Sequence, residues 1–368
     1  MHNQHPILIV GAGKIGVTVA VLLAHSGDYQ VFLVDAKAPV ELPEVQNYPI
    51  VFRDLNIQDR AAVGHFIQQH RIQGIVSCLP FHLTLAVAQI AEASGIHYFD
   101  PTEDVTITRQ VKELAKTTQG VFAPQCGLAP GFISIAANSL IEAFGTVDQV
   151  RMRVGALSQN TNNFLHYNFT WSVEGVINEY IHPSLVLEQR RIKEVSALSG
   201  LETLLINGSR YEAFHTSGGA GSLVETYAGR VNNMDYKTIR YPGHCEKMRF
   251  ILNDLQLRDN PTLAKEILER VVPFSTEDKV VVYVGVQGQK EGRLFEQDYA
   301  HEFYPAYVGQ HRFTAIQMTT ASSICVVIDL VMHEHKFKGL LRQEQIALSD
   351  FLANRFGHYY REKLATTA

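Results

Sequence analysis

Apolar positions follow two rhythms along this chain. In the first third, short apolar runs alternate with helical stretches. "PILIV", "YQVFLVD", "YPIVFRDL", "IQGIVSCLP", "IHYFDPT" and "GVFAPQCG" read as strands, separated by helices such as "LTLAVAQIAEASG" and "EDVTITRQVKELAKTT". Strands alternating with helices imply an α/β fold with a parallel, doubly wound sheet, whose ligands gather beyond the C-terminal ends of the strands. That rule selects Asp54, Ser77, Cys78, Leu79, Pro80, Asp100 and the segment from Cys126 through Leu128, Ala129, Pro130 and Gly131. Asp54 reads equally well as an adenine-side contact or as an N-cap of the following helix.

From about Val147 the rhythm changes to period two. "VDQVRMRVG", "ETLLINGSRYEAFHTSGG", "YKTIRY" and "DKVVVYVGVQG" alternate apolar and polar residues, as half-exposed strands do. With the short helices "TWSVEGVINEYI" and "CEKMRFILNDL" they form an α+β unit. "TAIQMTTASSICVVIDLVM" then reads as a long apolar helix that returns to the first unit. The expected division is 1–131, 132–310 and 311–368. In "YKTIRYPGH" one strand face carries Tyr236, Thr238 and Arg240 and the other Lys237, so the two cations cannot both enter one cleft. Pro242 and Gly243 break the strand, and the helix that follows offers its N-terminal turn to an anion.

The first strand runs into "GAGKIG". Gly11, Gly13 and Gly16 match G-x-G-x-x-G, with Lys14 and Ile15 opening the helix. The first glycine allows a tight turn, the second a close approach to a pyrophosphate, and the third helix–strand packing. Asp35 ends the second strand, where a carboxylate holds ribose hydroxyls and repels a 2′-phosphate. NAD is therefore expected in preference to NADP, on a Rossmann domain.

Composition narrows the classes. The 368 residues favour more than one core, and a net charge of −5 supplies no basic footprint for nucleic acid. Four scattered cysteines form no CxxC pair and fit a reducing cytoplasm. The N-terminus shows no charged leader, and "SSICVVIDLVM" is short for a bilayer span and carries Asp329, so no membrane partner is expected. No metal is expected either: "HEH" at His333–His335 puts ligands two residues apart, off a common helix face. His82 and His97 read as structural, Cys78 as a buried small hydrophobe and Trp171 as core, with Ser172 as N-cap and Gly175 at the third helical position. Asp100 is a site candidate at a strand end. Thr216 and Ser217 lie beside three glycines, backbone that can cradle a carboxylate.

Taken in order, "GAGKIG", "SCLPFHLTLAVAQIAEASGIHYFD", "CGLAPGF", "TWSVEGVINEYIHP", "TSGGAGSLVET" and "KTIRYPGH" resemble the saccharopine dehydrogenase-like family, within it the short lysine 6-dehydrogenase-type members. The resemblance spans nearly the whole chain. It implies a Rossmann domain with an inserted α+β domain for substrate and dimerisation, hence a homodimer. It further implies NAD(P)-dependent chemistry at the C–N bond of an amino acid side chain. Carried over by position, Gly11, Gly13 and Gly16 hold pyrophosphate and Asp35 the ribose. Ser77, Cys78, Leu79, Asp100 and Leu128 to Gly131 border the nicotinamide. Ala129 stands where the saccharopine-forming enzymes usually carry Asp, which shifts the expectation to oxidative deamination of lysine or a similar diamino acid. In that reading Arg240, with Lys237 beside it, grips the α-carboxylate, and His244 or Asp100 takes the amine proton. Reductive condensation of the saccharopine or carboxy-polyamine kind, and a non-catalytic NAD-binding sensor, stand as alternatives.

Overall fold

The structure, a computed structural model, describes residues 4–36, 44–334 and 336–361. The first unit comprises β1 (His5–Val10), α1 (Lys14–Ser26), β2 (Tyr29–Asp35), β3 (Ile50–Asp54), α2 (Arg60–His70), β4 (Gly74–Ser77), α3 (Phe81–Ser94), β5 (His97–Phe99), α4 (Val105–Leu114) and β6 (Val121–Ala123). The second holds α5 (Phe132–Ile141), β7 (Thr146–Ser158), α6 (Val173–Ile181), β8 (Ser184–Glu188), β9 (Arg191–Val195), β10 (Glu202–Ile206), β11 (Ser209–His215), α7 (Leu223–Tyr227), β12 (Asn233–Arg240), α8 (His244–Arg249), α9 (Pro261–Val271), β13 (Asp278–Lys290) and β14 (Arg293–Phe303). The chain closes with the hairpin β15 (Ala306–Val308) and β16 (His311–Phe313), then α10 (Ala315–Glu334), β17 (Gly339–Leu340) and α11 (Leu348–Ala353).

β1 to β6 form a parallel Rossmann-like sheet in the order β17-β6-β5-β4-β1-β2-β3, completed at its edge by the C-terminal β17. Ile7 and Ile9 enter the core on one face and Leu8 and Val10 on the other. Burial on both faces is why the run carries no polar alternation. The strand order reverses beside β1, between β2 and β4, and opens a crevice at the strands' C-terminal ends.

The second sheet is mixed, ordered β10-β11-β12-β7-β13-β14, with β8 and β9 attached to β12. Its inner face, Val150, Met152 and Val154 with Val280, Val282 and Val284, joins the same core cluster as α1, α5 and α10. The two units thus share one apolar interior, which explains the lack of a linker. "ETLLINGSRYEAFH" is a hairpin: Asn207 and Gly208, at φ of 48° and 76°, make its two-residue turn. β9 and β14 are not apparent in the pattern because they are largely exposed on both faces and alternate nothing.

α10 follows the long apolar helix read from the sequence, running from Ala315 to Glu334. Its 20 residues are long and apolar enough to cross a membrane by length and composition, yet here most are buried against α1 and β13. The Asp278 carboxylate caps it, accepting from Ala315 N at 2.7 Å and Ile316 N at 2.9 Å.

Candidate active site

The glycine-rich turn is held from both sides. Gly11 sits at φ 106°, and a Cβ there would lie 2.7 Å from the Cys78 carbonyl oxygen. A Cβ on Gly16 would lie 1.9 Å from the Gly11 oxygen, so the close strand–helix approach admits no side chain. At Gly13, by contrast, a Cβ would meet nothing within 4 Å, and no side chain caps the start of α1. The first amides of α1 therefore face an open trough, lined by Gly13, Lys14, Ile15, Cys78 and Trp171. Asp35 closes the turn, accepting from Ala12 N at 2.8 Å, and Asp54 lies exposed beside it in register on β3. Asp59, not Asp54, caps α2. An uncapped helix N-terminus beyond a tight glycine turn, with a carboxylate at the end of the next strand, fits a dinucleotide.

The trough continues past Leu79, Pro80 and Glu103. Beyond it lies a cavity of about 160 Å3, room for roughly ten water-sized groups. Its apolar wall includes Ile15, Leu128, Ala129 and Trp171; its polar groups are Glu103, Glu179, Tyr236, Thr238 and Arg240. Trp171 borders trough and cavity alike. It can lie there because Gly175 has no side chain: a Cβ would sit 2.4 Å from the indole. Ser172 caps α6 by accepting from Gly175 N at 3.1 Å, as the sequence implies, and the indole packs against the apolar core on one side and walls the site on the other.

Arg240 is 2% exposed. Its Nε donates to the Tyr180 hydroxyl at 2.8 Å, Nη1 donates to the Ile239 carbonyl at 2.8 Å, and the guanidinium lies 4.8 Å from the centre of the Tyr167 ring. Among the described residues Nη2 has no acceptor. Glu179, on the inward face of α6, has no donor to its carboxylate there either; burial first, then Glu103, push it well above the usual carboxylate range, against the pull of Arg240. Burial raises Glu103 to about 7, with Asp104, Asp100 and Glu174 adding to the shift. Neither carboxylate stands out in the sequence: Glu103 follows a strand end by a loop, and Glu179 reads as one polar position of an amphipathic helix.

The residues singled out in the sequence separate into three layers. Gly13, Lys14, Ile15, Cys78, Leu79, Pro80, Leu128, Ala129 and Arg240 line the trough or cavity. One layer behind, Thr216 bonds Thr238 at 2.7 Å, Ser217 N donates to the Glu179 carbonyl, and Ser77 bonds Thr84. Pro130 and Gly131 shape the turn into α5, where a Gly131 Cβ would lie 1.9 Å from the Gly127 oxygen. Asp100 is fully buried and lines neither the trough nor the cavity; its Oδ1 accepts from Thr102 N at 2.8 Å, and burial raises it to about 6. His244 is likewise buried away from the cavity, against Tyr180 and Leu165. Lys237 lies on the outer sheet face, 2.8 Å from Glu202 and 3.6 Å from Asp235, with Arg153 bridging the same two carboxylates. The strand alternation thus brings Arg240 into the cavity and sends Lys237 away.

The anion expected at the N-terminus of α8 comes from the chain itself. Glu212 on β11 accepts from Gly243 N at 2.7 Å and Cys245 N at 2.6 Å. Burial and Asp100 push the Cys78 thiol up to about 12, so it stays protonated. His97 accepts from Val121 N at 2.9 Å, a contact between the starting residues of the neighbouring strands β5 and β6. His333 bonds the Asp329 carbonyl, and His335 lies outside the described residues. No group of metal-ligating side chains occurs among the described residues.

A family model for the saccharopine dehydrogenase NADP binding domain matches residues 7–123, and one for the saccharopine dehydrogenase C-terminal domain matches 127–358. Among solved structures, saccharopine dehydrogenase (L-Glu forming) from Saccharomyces cerevisiae superposes with a TM-score of 0.70 at 13% identity, over 93% of this chain and 94% of that one. The homospermidine synthase of Legionella pneumophila in complex with NAD superposes with a TM-score of 0.67, also at 13% identity, over 98% and 90%. At such identities the likeness is one of fold.

Proposed function

This chain belongs to the saccharopine dehydrogenase family, as an NAD(P)-binding, oxidoreductase-like protein, and on that premise we propose that it oxidises the amine-bearing carbon of lysine or a similar diamino acid. The observation that carries this reading is one guanidinium and two carboxylates lining a single apolar cavity continuous with the glycine-rich trough. Gly11, Gly13, the first amides of α1 and Asp35 are the groups that would hold a nicotinamide dinucleotide, which when bound supplies the hydride acceptor.

Arg240 receives the α-carboxylate on its free edge, where a planar fork matches that anion. The Trp171 ring covers the substrate's carbon chain and keeps bulk water out. At the far end, Glu103 takes the proton released by the ammonium group as the C–N carbon is oxidised, a role that suits a carboxyl raised to about 7. Glu179, pushed up by burial and by Glu103 against the pull of Arg240, is the cavity's second carboxyl. One water then replaces nitrogen at that carbon, leaving an aldehyde and releasing ammonia. The same two carboxylates would also accept a second amine, which keeps reductive condensation as the other reading.

The test is direct. Purified protein with NAD or NADP and a panel of diamino acids should show growth of reduced-nicotinamide absorbance. A flat trace across that panel removes the deamination reading, and reduced-cofactor consumption only with amine and carbonyl together transfers it to condensation.

A further inference from the structure

The mechanism above leaves unused a histidine with a fully determined hydrogen-bond pattern. His244 is 1% exposed, and its Nδ1 lies 2.9 Å from the Leu165 carbonyl oxygen. A carbonyl only accepts, so Nδ1 carries the proton. Burial and the adjacent Arg240 hold the imidazole down at about 3, so it is neutral at working pH and Nε2 keeps its lone pair. That lone pair lies 3.1 Å from the Tyr180 oxygen, which must donate its single hydrogen there. The Tyr180 oxygen is then left as an acceptor, and it takes the Arg240 Nε–H at 2.8 Å. Every link from Leu165 to the guanidinium therefore has one permitted direction. Tyr167 closes the arrangement, its ring 5.0 Å from that of His244 and beneath the guanidinium.

We propose that His244 is a positioning residue: through Tyr180 it sets the orientation in which Arg240 presents its free edge to a substrate carboxylate. The inference rests on the carboxylate-binding role given to Arg240 above. Nothing in it requires His244 to touch substrate or to exchange a proton.

The test compares two ligands with the full-length protein and saturating NAD: L-lysine, and 1,5-diaminopentane, which lacks only the carboxylate. His244→Leu removes the acceptor, Tyr180→Phe removes both hydroxyl links with little change of volume, and His244→Gln retains an acceptor near Nε2. His244→Leu and Tyr180→Phe should each weaken lysine binding about tenfold and leave diaminopentane binding and NAD affinity unchanged. His244→Gln should recover much of the loss. Should His244→Leu fail to fold, Tyr180→Phe carries the comparison alone. Equal losses for both ligands, or unchanged lysine affinity in Tyr180→Phe, would overturn the positioning role. If the wild type binds no carboxylate ligand, the substrate reading falls first, and the two failures are told apart.

Discussion

A guanidinium and two carboxylates meet in a cavity whose remaining wall is apolar, and each side chain's consequence there is separable. Arg240→Ala should raise KM for a carboxylate-bearing substrate by ten- to a hundredfold, the worth of a charged hydrogen bond, and leave NAD affinity as it was; collapse of NAD affinity would contradict the division of labour between trough and cavity. Glu103→Gln should lower kcat by about 10²–10⁴-fold. With a base near 7, kcat/KM of the wild type should climb as pH rises through neutrality, and the Glu103→Gln profile should be flat there. Glu103 and Glu179 were not legible in the sequence because a lone glutamate on a loop or a helix looks like a solvated one. Only the cavity they share with Arg240 separates them from the others.

At the scale of elements, two helices start on carboxylates borrowed from distant strands. Asp278, at the first residue of β13, caps α10, and Glu212 of β11 caps α8. Each ties a helix to a sheet that it packs upon. Asp278→Ala should cost about 1–2 kcal/mol and appear as a lowered midpoint in urea unfolding with the slope unchanged. The Glu212 cap also corrects the expectation of a ligand at α8: free amides at a helix start attract whichever anion the fold brings nearest, and here a side chain arrives first. The run "YKTIRY" was readable as a strand with Arg240 on one face. What lay across from that face was not.

For the whole molecule, the dinucleotide trough and the buried ionisable groups both set stability. A ligand present at a hundred times its Kd adds about 2.7 kcal/mol, so a thermal-shift comparison should show a larger rise with NAD than with NADP if Asp35 repels the extra phosphate. Acid behaviour follows from His244. Its value of about 3 in the fold lies below the ordinary histidine range, so as pH falls from about 6.5 towards 3 the unfolded chain gains a proton that the native state refuses, and stability is lost. Glu103, raised to about 7, and Asp100, raised to about 6, act with the opposite sign: their contribution is complete at low pH and fades as pH rises through those values. His244→Gln should therefore be destabilised less by acid than the wild type, measured as the difference in denaturant midpoints between pH 7 and pH 4.

The Rossmann half is nearly all present in the sequence, because its signals are local. Doubly buried strands must be continuous apolar runs, and a turn squeezed between the Cys78 carbonyl and α1 can only be built from glycines at Gly11 and Gly16. The second unit was half legible: its buried strands alternate, whereas β9 and β14 lie largely exposed on both faces and carry no pattern. Tertiary structure alone decided that Trp171 walls a cavity, that Glu103 and Glu179 share that cavity with Arg240, and that His244 stands behind the guanidinium. Those facts depend on how α6 docks across the crevice and onto β12. Such docking is set by the sum of many contacts between segments far apart in the chain, which no periodicity within a single segment records.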